Sequence, residues 1–189
     1  MYEVEMKYRV RDVSALERHL AQYGVAFLEV EEESDQFYRH PAKDFRQTDE
    51  ALRLRTRKTP SQTERTLTYK GPKIDVATKT RREIEIPLDT NAPWHDMLTA
   101  LGFVVGGNVH KFRRHGVLDW KGVKVTVVLD TLPVLPPSEQ HFVELEVLVC
   151  KSDWNSARDT VLEVAKALEL TEGIRVSYLE LTEQNRHLS

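Results

Sequence analysis

The sequence predicts an α+β fold dominated by antiparallel strands, and three observations carry that expectation. Eight segments alternate apolar with polar side chains at the period of two that a strand imposes. Only four short segments carry a helical repeat. The polar half of the alternation is mostly ionic, with both signs present, which suits a barrel whose polar face turns inward.

Tyr2 to Val10 reads as the first strand, with Val4, Met6, Tyr8 and Val10 on one face and Glu3, Glu5, Lys7 and Arg9 on the other. Asp12 can cap a helix that carries Val13, Leu16 and Leu20 and stops at Gly24. A weaker strand runs from about Phe27 to Tyr38, followed by a loop over residues 39–50. In Ala51 to Lys58, Leu52 and Leu54 oppose Arg53, Arg55 and Arg57. Thr59-Pro60-Ser61 turns the chain into Glu64 to Lys70, where Leu67 and Tyr69 oppose Thr68 and Lys70. Pro72 to Thr80 is polar and basic and reads as an open loop that could serve as a lid. Arg81 to Leu88 sets Ile84 and Ile86 against Arg81, Glu83 and Glu85.

Asn91 can cap a second helix, with Pro93 in its first turn, Leu98 and Leu101 inside, and Gly102 after it. Strands follow over Phe103 to Arg114, Val123 to Asp130 and His141 to Cys150, with Lys121-Gly122 as a hairpin turn. A third helix from Ser152 carries Trp154, Ala157, Val161, Ala165 and Leu168 on one stripe, and Ser177 begins a short last helix through Leu181.

The length of 189 residues fits one domain over 1–189 with a real core. Lys and Arg number 27 and Asp and Glu 30, a net charge of −3, which argues against a strongly basic nucleic-acid binder. The single cysteine, Cys150, excludes a disulfide framework within the chain. No run approaches the roughly 18–20 apolar residues of a membrane helix. The expectation is a cytoplasmic globular protein with neither nucleic acid nor membrane as partner.

One solvated, charged strand face is ordinary in an antiparallel sheet. Seven such faces, poor in Ser, Asn and Gln, point to a common lining. Converging Lys and Arg suit a highly anionic ligand, with Arg shaped for phosphate oxygens. Carboxylates beside them make sense as oxygen ligands of a hard divalent cation that bridges to phosphates. The plain alternative is cross-strand ion pairing with no ligand at all.

The short motif Glu3-x-Glu5-x-Lys7 opens a series that continues in order through Asp35-x-x-Tyr38, Arg53-Leu54-Arg55, Leu67-Thr68-Tyr69-Lys70-Gly71-Pro72 and Arg81-x-Glu83-x-Glu85. Lys111-x-Arg113, Val128-Leu129-Asp130, Phe142-x-Glu144-x-Glu146 and Ser177-Tyr178 complete it. The series resembles the CYTH superfamily of triphosphate tunnel metalloenzymes across essentially the whole chain. It is most similar to the class IV adenylate cyclase-like branch.

The resemblance implies a closed antiparallel tunnel of about eight strands with a charged lumen and flanking helices. It implies Mg²⁺ or Mn²⁺ as cofactor and ATP, thiamine triphosphate or tripolyphosphate as partner, with a homodimer common in that branch. Lys7, Arg53, Arg55, Lys70, Arg81, Lys111 and Arg113 become the substrate clamp, with Lys7, Arg55 and Lys111 the catalytic candidates. Arg9, Arg57, Lys79 and Lys124 are weaker cations. Glu3, Glu5, Asp130, Glu144 and Glu146 become metal ligands, while Glu83 and Glu85 either bind metal or orient the cations. The activity implied is ATP cyclisation to cyclic AMP and pyrophosphate; triphosphate hydrolysis or non-catalytic binding are the alternatives.

Phe37, Tyr38 and Phe45 are candidates to stack a nucleobase, though core packing is the commoner role of such residues. Cys150 and Tyr178 read as packing residues. The sequence has no P-loop or dinucleotide-binding glycine motif and no His-Glu-x-x-His spacing.

Overall fold

The computed structural model describes residues 1–188, with side chains described through residue 185; Ser189, the last residue of the expected domain, lies outside the described residues. The strands are β1 (Tyr2–Arg9), β2 (Glu31–Arg39), β3 (Ala51–Lys58), β4 (Thr63–Lys73), β5 (Arg81–Leu88), β6 (Val104–Trp120), β7 (Val123–Thr131), β8 (His141–Val149) and β9 (Gly173–Ile174). The helices are α1 (Val13–Gln22), α2 (Trp94–Ala100), α3 (Trp154–Ala167) and α4 (Tyr178–Leu188). None of them is long and apolar enough to cross a membrane.

β1 to β8 form a closed antiparallel barrel in the order β5-β4-β3-β2-β6-β7-β8-β1, and β5 returns to β1. The closing seam is built from three separate pieces of chain. β5 pairs with β1 only at Tyr2 with Arg82 and Glu3 with Arg81. Lys79 N–H then donates to the Glu5 carbonyl at 2.9 Å. β9 takes the remaining edge, pairing Ile174 with Lys7 and Gly173 with Tyr8. No length of β1 is left as an open edge, which is how a barrel escapes edge-to-edge aggregation.

The main core lies outside the barrel wall. Val4, Met6 and Tyr8 of β1, with Val10 just after it, pack with Val125, Val127 and Leu129 of β7 and Val143, Leu145 and Val147 of β8 under α1 and α3. Leu16 and Leu20 come from α1, and Ala157, Val161, Val164 and Ala165 from α3. Asp12 caps α1 as expected, accepting from Ala15 N–H. A smaller core sets Leu98 of α2 on Tyr38 and Leu54. Leu132, Leu135, Phe142 and Tyr178 form a third core, in which the proline-rich 132–139 connection meets α4. Burial of apolar faces outside the wall leaves the lumen free to be polar.

Several boundaries differ from expectation. β2 begins at Glu31, because residues 25–27 instead cover β6. β6 runs on to Trp120, since its register with β7 continues to the Lys121-Gly122 turn. α2 starts at Trp94 with Pro93 rather than Asn91 at its cap, and α3 starts at Trp154 after a single 3₁₀ turn. α4 is longer than expected, and β9 carried no pattern to announce it. Cys150 is exposed rather than packed. The expected open loop over Pro72–Thr80 holds only for its middle: β4 extends to Lys73 and Thr78, Lys79 and Thr80 are buried, while Ile74, Val76 and Ala77 between them are exposed.

Gly116 lies mid-strand in β6, where a Cβ would meet Val25 Cγ1 at 2.7 Å and the Ala26 carbonyl at 3.3 Å. Gly116→Ala is therefore expected to destabilise the protein by about 1–3 kcal/mol through overpacking. The urea midpoint reads this, and an unchanged midpoint would contradict the close approach.

Candidate functional site

The barrel encloses a cavity of about 1230 Å³. Alternation along each strand turns the charged residues into it, and every expected site residue except Asp130 lines it. Of the weaker cations, Arg57 and Lys79 line it as well. Arg9 instead pairs with Glu139 at 3.0 Å, and Lys124 is exposed and pairs with Asp119 at 2.6 Å.

Glu3 and Glu5 of β1 meet Glu146 of β8, since Glu5 and Glu146 are cross-strand partners. Each offers a carboxylate oxygen, and the three lie within 4.8 Å of one another. Burial, with Glu3 close by, pushes Glu146 well above the usual carboxylate range, and burial raises Glu3 as well. Glu5 goes the other way: burial opposes its ionisation, but Lys79 at 2.8 Å outweighs it and holds the carboxyl down at about 2. The corner carries more carboxylate than its lysines offset. Three converging oxygen donors with unbalanced negative charge fit a hard divalent cation.

Glu144 and Asp130 do not join that corner; both hold Arg113. Asp130 takes Arg113 Nε at 2.7 Å and Nη2 at 2.5 Å, and Glu144 takes Nη2 at 2.6 Å. Arg55 is held the same way from β2, with Nε and Nη2 on Asp35 at 2.6 and 2.8 Å and Nη1 on Glu33 at 3.0 Å. Glu33 also lies 3.1 Å from Lys111 Nζ. Arg53 reaches Thr68 at 3.2 Å and Asp35 at 3.8 Å. Lys70 lies 3.0 Å from Glu3 and also pairs with Glu83. Glu85 is at the mouth and accepts from Thr68 at 3.1 Å, while Arg81 reaches only the Gly71 carbonyl at 3.4 Å.

Lys7 differs from these cations. It is 1% exposed, and no described carboxylate lies within ion-pair distance of it. Its Nζ sits 3.8 Å from the centre of the Tyr178 ring. Burial, with Lys79 beside it, lowers its pKa to about 7.

The lining is net cationic, but its most deeply buried part is acid-rich. Among the described residues the buried charged side chains are Lys7, Lys79, Lys111 and Arg113 against Glu5, Glu31, Glu33, Asp35, Asp130 and Glu144, of which Glu31 and Asp130 do not line the cavity. Sequence reasoning left Glu31 and Glu33 unassigned, gave Asp35 no role and ranked Lys79 low. A signal was present in both cases. Glu31, Glu33 and Asp35 share one face of β2, and extending the alternation back from Arg81 places Lys79 inside. Of the stacking candidates, only Phe37 lines the cavity. Tyr38 is outside, with its hydroxyl on Gln36 and 2.9 Å from His95, and Phe45 packs on His40. Tyr178 packs in the third core as expected and also lines the cavity.

Burial pushes the Asp35 carboxyl upward, but Arg55 and Arg53 outweigh it and hold it well below the usual carboxylate range. Its stabilising contribution is thus present above the ordinary carboxylate pKa and is lost as pH falls below about 4. Asp35→Asn is expected to cost about 3–5 kcal/mol at pH 7 by breaking a buried pair. That gap should narrow as pH falls, in urea unfolding at pH 7 and pH 3. A gap independent of pH would contradict the assignment.

A model of the CYTH domain matches residues 1–178. A Methanocaldococcus jannaschii protein named as a putative adenylate cyclase is 31% identical over 184 residues, spanning 96% of this chain and 98% of the relative. The structure of the PH1819 protein from Pyrococcus horikoshii superposes with a TM-score of 0.85 at 35% identity, covering 97% of this chain and 99% of that one. A Vibrio parahaemolyticus protein, also named as a putative adenylate cyclase, shares the fold at TM-score 0.79 and 24% identity, with 97% and 98% covered. The family match over nearly the whole length, together with an archaeal relative above 30% identity, shows that this chain belongs to the CYTH domain family.

Proposed function

We propose that the chain is a divalent-metal-dependent enzyme that holds a triphosphate in its barrel, and that its reaction is cyclisation of ATP to cyclic AMP and pyrophosphate. The observation that carries this reading is the convergence of Glu3, Glu5 and Glu146 beside a cage of lysines and arginines within one cavity. The described lining holds 13 Lys and Arg against 10 Asp and Glu, a small cationic excess that the acids already pairing with Arg55, Lys70, Lys111 and Arg113 largely engage, so it falls short of a triphosphate's charge. A divalent cation makes up the difference, and the carboxylate corner suits it.

Glu3, Glu5 and Glu146 would hold Mg²⁺ or Mn²⁺, which would supply charge to the phosphate oxygens and the leaving group. Arg53, Arg55, Lys111 and Arg113 would clamp the phosphates from one side, and Lys70 and Arg81 from the other. Asp35 and Asp130 fix the guanidinium forks and so position the clamp. Lys7, without a carboxylate partner, is the amine best able to take the proton of an attacking hydroxyl. The cavity of about 1230 Å³ exceeds the roughly 300–1,000 Å³ of ordinary ligand sites, leaving room for a nucleoside beside the phosphates. The name of the archaeal relative agrees with the cyclase reading.

One observation favours triphosphate hydrolysis as a second reading. Phe37 and Tyr178 are the aromatic side chains among the described lining residues, and Lys7 already covers the Tyr178 ring. A site that grips only phosphates needs no aromatic platform.

Incubation with ATP, thiamine triphosphate and tripolyphosphate under Mg²⁺ or Mn²⁺ separates the readings by product. Cyclic AMP with pyrophosphate is expected from ATP; orthophosphate alone supports hydrolysis, and no product from any substrate contradicts both. Glu146→Gln should lower turnover by about 100-fold, at least what loss of a metal's outer-shell partner costs. Turnover within a few-fold of wild type would remove Glu146 from the metal site.

A further inference from the structure

Glu33 contacts more of the clamp than any other carboxylate described in the lumen. It is 2% exposed, and its carboxylate lines the cavity. Three cations from two strands converge on it: Arg55 Nη1 at 3.0 Å, Lys111 Nζ at 3.1 Å and Arg113 Nε at 3.6 Å. Arg55 and Arg113 each have an aspartate of their own, Asp35 and Asp130, gripping the guanidinium with two hydrogen bonds. Glu33 is therefore not needed to orient either fork.

Its Oε1 accepts a single hydrogen bond from Arg55 Nη1, and its other two contacts are of a different kind. Glu33 Oε2 is buried and takes no hydrogen bond, so Lys111 and Arg113 hold it by charge alone. Among the described residues Lys111 has no carboxylate in two-point contact; its second acid, Asp130, is 3.8 Å away. Undirected ion contacts can be exchanged for another anion without breaking a geometry that the fold has fixed, whereas a two-point Arg–carboxylate fork resists exchange.

We infer that Glu33 is a resident competitor: its carboxylate vies with a bound phosphate chain for Arg55, Lys111 and Arg113, holding affinity down so that product can leave. This rests on the triphosphate reading given above. A purely structural Glu33 predicts the opposite sign. Its loss would then loosen the cations and weaken anion binding, whereas a competitor's loss strengthens it.

Titration calorimetry with tripolyphosphate and Mg²⁺ tests this on the full chain. Glu33→Gln keeps the shape and removes the charge. It should lower Kd by about tenfold, the scale of one unit charge a few ångström away in a partly screened site. Glu33→Asp keeps the charge, and its Kd should stay within a few-fold of wild type. In turnover with the preferred triphosphate, Glu33→Gln should lower KM and kcat together, as release becomes slower. If Glu33→Gln does not fold, Glu33→Gln combined with Lys111→Gln, measured against Lys111→Gln alone, gives the same comparison with the charge partly rebalanced. Weaker or unchanged binding by the Gln variant, or equal tightening by the Gln and Asp variants, would overturn the inference. Absence of tripolyphosphate binding by the wild type would instead overturn the triphosphate reading itself.

Discussion

A closed lumen that buries ionised side chains imposes the constraint on which the rest of this structure depends. Taking an unpaired charge out of water costs several kcal/mol, so each buried cation needs an acid nearby. Strand register meets that need. Glu33 and Asp35 of β2 lie between β3 and β6, so one strand serves Arg55 on one side and Lys111 and Arg113 on the other. Asp130 of β7 lies directly opposite Arg113 of β6. A slip of one residue in any of these ladders would turn an acid out of the lumen and leave its cation stranded. The charge network therefore specifies the barrel's register, while the apolar cores outside the wall supply most of the stability.

The exceptions to complete pairing coincide with the proposed chemistry. Lys7 has a tyrosine face and a neighbouring lysine closest to it, with Glu144 and Glu5 acting from beyond ion-pair distance. Glu146 has neighbouring acids instead of a cation in contact. These two unmet needs are complementary to what a metal-bound triphosphate brings: anionic oxygens for the lysines and a cation for the carboxylates. The barrel seam contributes to the same end. β1 carries Glu3, Glu5 and Lys7, and the chain segment that closes on it delivers Lys79 to Glu5.

Which side chains share a face of each strand is readable from alternation alone, because the strand period of two needs no knowledge of neighbours. Arg53, Arg55, Lys111 and Glu146 thus fall on the charged faces, and the family resemblance turns those faces into the lumen that they line. Which acid meets which cation was not readable. The contact between Glu33 and Lys111 joins residues far apart in sequence and exists only once β2 pairs with β6. Asp130 illustrates the same limit: its position facing the lumen was legible, but its complete engagement by Arg113 depends on cross-strand distance. Lys79 was obscured by the Pro72 and Gly71 that precede it, which suggested a loop although the chain re-enters the wall. β9 is held only by its partner strand and has no local pattern.

The proposed metal-bound triphosphate makes anion and metal binding in the lumen interdependent. Thermal unfolding of the full chain, with tripolyphosphate and Mg²⁺ each alone and then together at millimolar concentration, addresses it directly. Binding to the folded state alone must raise the midpoint. The charge balance predicts that the two together raise the midpoint by more than the sum of their separate effects. A rise with tripolyphosphate that Mg²⁺ does not enlarge, or no rise under any condition, would contradict it.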